Sequence, residues 1–113
     1  MNISEDRKPG VLILGLSQRL DAATAKIFED KILAVIEAGD RGLVIDLAQL
    51  EYVSSAGLRV FLLAAKRLNA VDGKLAVSGL NEHVRQVFDI AGFSSILNIY
   101  PSRDEAVKHV EAL

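Results

Sequence analysis

Two adjacent serines, Ser54 and Ser55, stand in the stretch YVSSAGLR, residues 52–59. Ala56 and Gly57 follow and leave the hydroxyls unobstructed. Three chemistries are open to such a pair: capping a helix N-terminus, attacking as a nucleophile, or being modified. A nucleophile needs a base, and the chain has two histidines, His83 and His109. Neither has a partner at metal-ligand spacing, and both read as solvated helix residues. No Gly-x-Ser-x-Gly elbow surrounds Ser55, since Val53 and Gly57 flank it. Asp46 lies in LVIDL with no second carboxylate close by, so it reads as a structural residue at a strand end. The glycines spell neither a phosphate-binding loop nor a dinucleotide fingerprint; Gly73-Lys74 and Ser78-Gly79 read as turns. The chain has no cysteine, which excludes disulfides, thiol chemistry and Cys-type zinc sites. No catalytic set, cofactor or metal is expected, and the chain reads as a non-enzyme.

The elements that must hold the serines alternate. Pro9-Gly10 signals a turn, so residues 1–8 are expected to fold back on the apolar run Val11–Leu16 as a hairpin arm. Phe28, Ile32, Val35 and Ile36, with Ala25, predict a helix over Ala22–Ala38 with Asp21 as N-cap and Gly39 beyond its end. Leu43–Leu47 is a strand buried on both faces. Leu58–Val71 reads as a second helix, entered near Ala56, with Leu58, Phe61, Leu62, Ala65 and Leu68 on its apolar face. Arg59, Leu63 and Lys66 lie on another face, which is either an exposed leucine among charges or part of a docking surface. Leu75–Ser78 is a strand. Asn81–Ala91 is a helix with Val84, Val87, Phe88 and Ala91 on one face and Gly92 as its stop. Ile96–Ile99 is an edge strand, and Ser102 with Glu105 forms a capping box for a last helix through Val110. This order predicts a single α/β domain over residues 1–113, with a mostly parallel sheet of four to five strands and about four helices.

The 113 residues are half hydrophobic and one quarter charged, a globular balance, with a net charge of −2. Aromatics make up 5% of the chain and no basic face is evident, so nucleic acid is not an expected partner. No run approaches the roughly 20 apolar residues of a membrane span, and the N-terminus lacks a signal peptide's apolar core. No membrane insertion is expected, and the expected location is the cytoplasm. The turn holding Ser55 follows the C-terminal end of a central strand, the edge where open α/β sheets meet ligands and partners.

The run DLAQLEYVSSAGLRVF is similar to the signature of STAS domains, the bacterial anti-sigma factor antagonists. Asp46-Leu47 matches the family's strand end, Leu50 and Val53 match the apolar anchors of its packed loop, and Ser54-Ser55-Ala56-Gly57-Leu58 matches the signature itself. Arg19-Leu20-Asp21-Ala22-Ala23-Thr24-Ala25 resembles the approach to the family's first helix. Ser78-Gly79-Leu80, Val84-Arg85-Gln86-Val87-Phe88 and Ala91-Gly92-Phe93 resemble its third-helix region. The likeness spans about residues 9 to 112.

That resemblance implies a phosphorylation-controlled partner switch in transcription regulation. The unphosphorylated form binds an anti-sigma factor that is also a serine-protein kinase and frees the sigma factor. Phosphorylation by that kinase weakens the complex, and a serine phosphatase restores it. By position the acceptor is Ser55, with Ser54 a second candidate. Ser54, Ser55, Ala56, Gly57, Leu58 and Arg59 would meet the partner. Asp21 matches a family aspartate that contacts the kinase, and Leu63 and Lys66 gain weight as a continuation of that surface. The sequence departs from the pattern in three places: Ser54 stands where many members have Asp, Ala56 where the other variant has Ser, and Gln18 where Gly is frequent. A serine at a helix start also caps the helix, and Ser55 can serve both roles. Two alternatives remain: a constitutive scaffold or transport-complex component with no phosphoswitch, and a small nucleotide-binding domain or enzyme using the edge from Asp46 to Ser55.

Overall fold

The structure, a computed structural model, describes residues 1–111. Five strands lie in the order β1-β2-β3-β4-β5: β1 Ile3–Lys8, β2 Val11–Leu20, β3 Gly42–Val53, β4 Lys74–Ser78 and β5 Asn98–Tyr100. β1 runs antiparallel to β2, and the other three pairings are parallel. The helices are α1 Ala25–Glu37, α2 Ser55–Asn69, α3 Glu82–Ile90 and α4 Arg103–Glu111, with a 3₁₀ turn at Phe93–Ser95. This is the expected α/β architecture.

Strand periodicity divides the core into two layers. Leu12, Leu14 and Leu16 of β2 and Leu43, Ile45 and Leu47 of β3 join Phe28, Phe61 and Phe88, one from each of α1, α2 and α3. The phenylalanines form an edge-to-face chain, with centroids 5.2 Å apart for Phe28–Phe61 and 5.3 Å for Phe61–Phe88. Val11, Ile13, Val44 and Ala76 face the other way and meet Ala106, Val107 and Val110 of α4. Neighbouring strands follow each other along the sheet, so right-handed crossovers keep α1, α2 and α3 on one face. Of the four helices, only α4 crosses to the other.

Several boundaries differ from expectation. β2 runs four residues past Leu16, and β3 runs through Leu50 and Val53, which sequence reading placed in a packed loop. The extensions pair with each other, Ser17 with Gln49 through Leu20 with Val53, after one register shift between Gly15 and Ser17 and across a second between Gln18 and Arg19. Gln18 takes a left-handed φ of 68° there. Exposed polar residues on this part of the ribbon hide its strand character. α1 begins at Ala25, three residues after the expected start, because Asp21 ties down a separate turn before it. Ala91 is the exposed C-cap of α3 rather than a member of its buried face. Gly39 and Gly92 adopt φ of 109° and 79° and end their helices as expected. Ser102 Oγ accepts from the Glu105 amide at 3.2 Å and caps α4.

Asp46 lies inside β3 rather than at its end. It is a structural anchor: Arg103 Nε donates to its Oδ2 at 3.0 Å and Nη2 lies 2.9 Å from the same oxygen in an ion pair, while the Ala48 amide donates to Oδ1 at 3.1 Å. The two-pronged pair fastens the start of α4 to the sheet. No helix among the described residues is long and apolar enough to cross a membrane.

Candidate functional site

The serine turn is shaped by the β2–β3 ribbon. Leu20 pairs with Val53, and the Leu20 carbonyl accepts from the Ser54 amide at 2.9 Å. That bond ends β3 and starts the turn into α2. Ser54 is extended, with φ −97° and ψ 173°, and its carbonyl accepts the first helical bond from Leu58 N–H at 2.9 Å. Its hydroxyl oxygen accepts from Gly57 N–H at 3.3 Å, an N-cap interaction that satisfies one of the open amides of the first turn.

The two serines therefore differ. Ser54 is half-buried and its oxygen is engaged in the cap. Ser55 is the first helical residue and is exposed, and its hydroxyl has no hydrogen bond among the described residues. Sequence reasoning left the cap to either one; the backbone assigns it to Ser54.

Gly57 is buried, and its φ lies outside the left-handed region. Packing, not an unusual conformation, demands glycine. An added Cβ would lie 2.6 Å from Leu20 Cγ, 2.8 Å from Cδ2 and 3.1 Å from the Leu20 carbonyl oxygen. Leu58 is only 7% exposed and packs in the core. Gly57 and Leu58 thus shape the surface from beneath and present little of themselves to a partner. Ala56 is half-buried, Arg59 and Lys66 are exposed, and Leu63 is half-buried rather than a free surface leucine. Ser55, Arg59, Leu63 and Lys66 fall on one ridge of α2, and Lys66 lies about 16 Å along the axis from Ser55.

Asp21 stands at the same strand-end edge, one residue after Leu20. Its Oδ1 accepts from the Ala23 and Thr24 amides at 3.0 and 3.1 Å, and its own amide donates to Thr24 Oγ1 at 2.9 Å. The Thr24 amide is the main reason that its carboxyl is held below the usual carboxylate range, against the opposing effect of desolvation. The Thr24 hydroxyl, the Ala23 amide and the Arg19 charge act in the same direction as the Thr24 amide. Asp21 is thus a fixed anion.

Arg19, Tyr52 and His83 were not singled out by sequence as a group. The Arg19 guanidinium lies 4.2 Å from the Tyr52 ring centroid, and Tyr52 stacks with His83 at 6.4 Å. The Arg19–Tyr52 pairing across β2 and β3 brings the first two together. Asn81 caps α3 through Oδ1 and donates from Nδ2 to the Leu50 carbonyl at 2.9 Å, which holds α3 against the ribbon. The edge around Ser55 therefore carries an exposed hydroxyl, an oriented carboxylate, a cation on an aromatic ring and a basic ridge.

The STAS domain family model matches residues 2–106. BtrV of Bordetella bronchiseptica, to which anti-sigma factor antagonism is provisionally ascribed, is 43% identical over 106 residues, covering 94% of this chain and 91% of BtrV. The anti-sigma F factor antagonist of Paenibacillus polymyxa is 29% identical over 114 residues, covering all of this chain and 97% of that protein. The crystal structure of an anti-sigma factor antagonist from Mycobacterium paratuberculosis superposes with a TM-score of 0.89 at 26% identity, covering 97% of this chain and 93% of that one.

Proposed function

The chain belongs to the STAS domain family, and we propose that it is an anti-sigma factor antagonist whose hold on its partner is switched by phosphorylation of Ser55. The partner is an anti-sigma factor that is also a serine-protein kinase, and a serine phosphatase reverses the modification. One observation carries the choice of acceptor. Ser54 spends its oxygen on the Gly57 amide, while Ser55 stands exposed and unbonded beside it.

The chemistry follows from that difference. The kinase transfers the γ-phosphoryl group of ATP to Ser55 Oγ; the hydroxyl proton passes to a base of the kinase, and ADP leaves. Hydrolysis by the phosphatase returns the serine and inorganic phosphate. The start of α2 tolerates the new charge, because a helix N-terminus favours anions. A partner surface matched to a neutral hydroxyl does not. The phosphate adds about −1.5 to −2 charges, and a loss of about 3 kcal/mol weakens binding roughly a hundredfold. Asp21, Arg59 and Lys66 flank the switch and serve as partner contacts.

Incubation with the cognate kinase and ATP, followed by mass spectrometric mapping, tests the reading. Phosphate on Ser55, lost in Ser55→Ala and kept in Ser54→Ala, is the expected result. Absence of phosphate from Ser55 would sink the switch. A complex with the partner that is indifferent to Ser55→Asp would instead mark a constitutive scaffold.

A further inference from the structure

α2 is basic without any acid of its own. Its sequence SAGLRVFLLAAKRLN contains Arg59, Lys66 and Arg67 and neither Asp nor Glu. None of the three enters an ion pair among the described residues, whereas Lys26 of α1 and Arg85 of α3 each bridge to a carboxylate on their own helix. Arg59 is exposed and follows Ser55 by four residues, which places their Cβ atoms about 5–6 Å apart on one face. The other helix positions that neighbour Arg59 are Ala56, Leu62 and Leu63, none of which accepts a hydrogen bond through its side chain. Ser54 carries no charge, so no carboxylate stands next to Ser55 in the chain to compete for Arg59. Asp21, across the ribbon, is already bonded to Ala23 and Thr24 and lies 3.9 Å from Arg19.

We propose that Arg59 is an intramolecular receptor for the Ser55 phosphate: on modification its guanidinium turns back one helical turn, binds the phosphoryl oxygens and is withdrawn from the partner-facing ridge. This rests on the phosphoswitch reading above and adds a second consequence to it. Phosphorylation does more than place an anion on the surface. It also removes a cation from the same face, so an acidic partner loses an attraction and meets a repulsion in one step. Guanidinium suits this role because its planar fork binds two phosphoryl oxygens at once.

The experiment needs no kinase. Phosphoserine is incorporated at position 55 during synthesis of the full chain, and its second ionisation is followed by 31P NMR at low ionic strength. A bound guanidinium favours the dianion. The midpoint is therefore expected about 0.2–0.4 pH unit lower in the parent than in Arg59→Gln, the size of a helical i, i+4 ion pair. Arg59→Lys should retain part of the shift, and Arg19→Gln should leave it intact. Coincident titration curves for the parent and Arg59→Gln would overturn the proposal, as would a shift removed by Arg19→Gln instead. Arg59 is exposed, and an amide NMR spectrum verifies that each variant keeps the fold. Since the phosphate is installed synthetically, a failed latch leaves the switch itself standing. Conversely, a kinase that ignores Ser55 would not alter this titration.

Discussion

Substitution of Gly57 by alanine should destabilise the protein even though alanine is the better helix former. At an ordinary exposed helix position the exchange gains about 0.5–1 kcal/mol. Here the new methyl group would sit 2.6 Å from Leu20 Cγ and 3.1 Å from the Leu20 carbonyl oxygen, against a favourable carbon separation of about 3.5–4.0 Å. Leu20 is fully buried, and its carbonyl holds the Ser54 amide at 2.9 Å. Neither neighbour withdraws freely. Overpacking of this kind costs about 1–3 kcal/mol, so after the helical gain a net loss of up to about 2.5 kcal/mol is expected. Urea denaturation should show a lower midpoint with an unchanged slope. The decisive control is Leu20→Ala. In that background the obstructing side-chain atoms are gone, and most of the cost of Gly57→Ala should disappear. A raised midpoint for the single variant, or a cost that persists undiminished in the Leu20→Ala background, would refute the steric account. The same displacement would move Ser54 and Ser55, so phosphorylation of Gly57→Ala by the kinase should slow as well.

Three further outcomes follow from the same geometry. Ser54→Ala should cost about 1 kcal/mol through loss of the α2 cap, whereas Ser54→Asp keeps an acceptor for the Gly57 amide and should cost little; urea midpoints of the two variants decide this. Arg103→Met leaves the Asp46 carboxylate, whose side chain is only 13% exposed, without its two-pronged partner and should cost about 2 kcal/mol; hydrogen exchange should accelerate first in α4. Asp21 has a folded-state pKa below its unfolded value, so its contribution is complete above about pH 4 and fades as pH falls through the depressed value. The stability gap between the parent and Asp21→Asn should therefore be constant from about pH 5 to 7 and close in acid, as measured by denaturation across that range.

Much of the fold could be read along the chain because its signals are local. Phe28, Phe61 and Phe88 recur at helical spacing with their neighbours, Gly39 and Gly92 sit where helices must stop, and Ser102 carries the oxygen that caps α4. The stretch YVSSAGLR marked itself as a strand-to-helix turn by composition alone.

Tertiary structure decided what depends on residues far apart. The β2–β3 ribbon beyond Leu16 and Leu47 is polar and irregular along each strand, and it becomes visible only as a pairing of Ser17–Leu20 with Gln49–Val53. That pairing sets Leu20 under Gly57, puts Arg19 over Tyr52 and gives the Ser54 amide its acceptor. Arg103 and Asp46, 57 residues apart, meet through the crossing of α4 to the other face of the sheet. The division of labour between the serines has the same origin. Two neighbouring hydroxyls are equivalent as letters, and the extended backbone at Ser54, imposed by its bond to Leu20, turns one oxygen to the Gly57 amide and leaves the other in solvent.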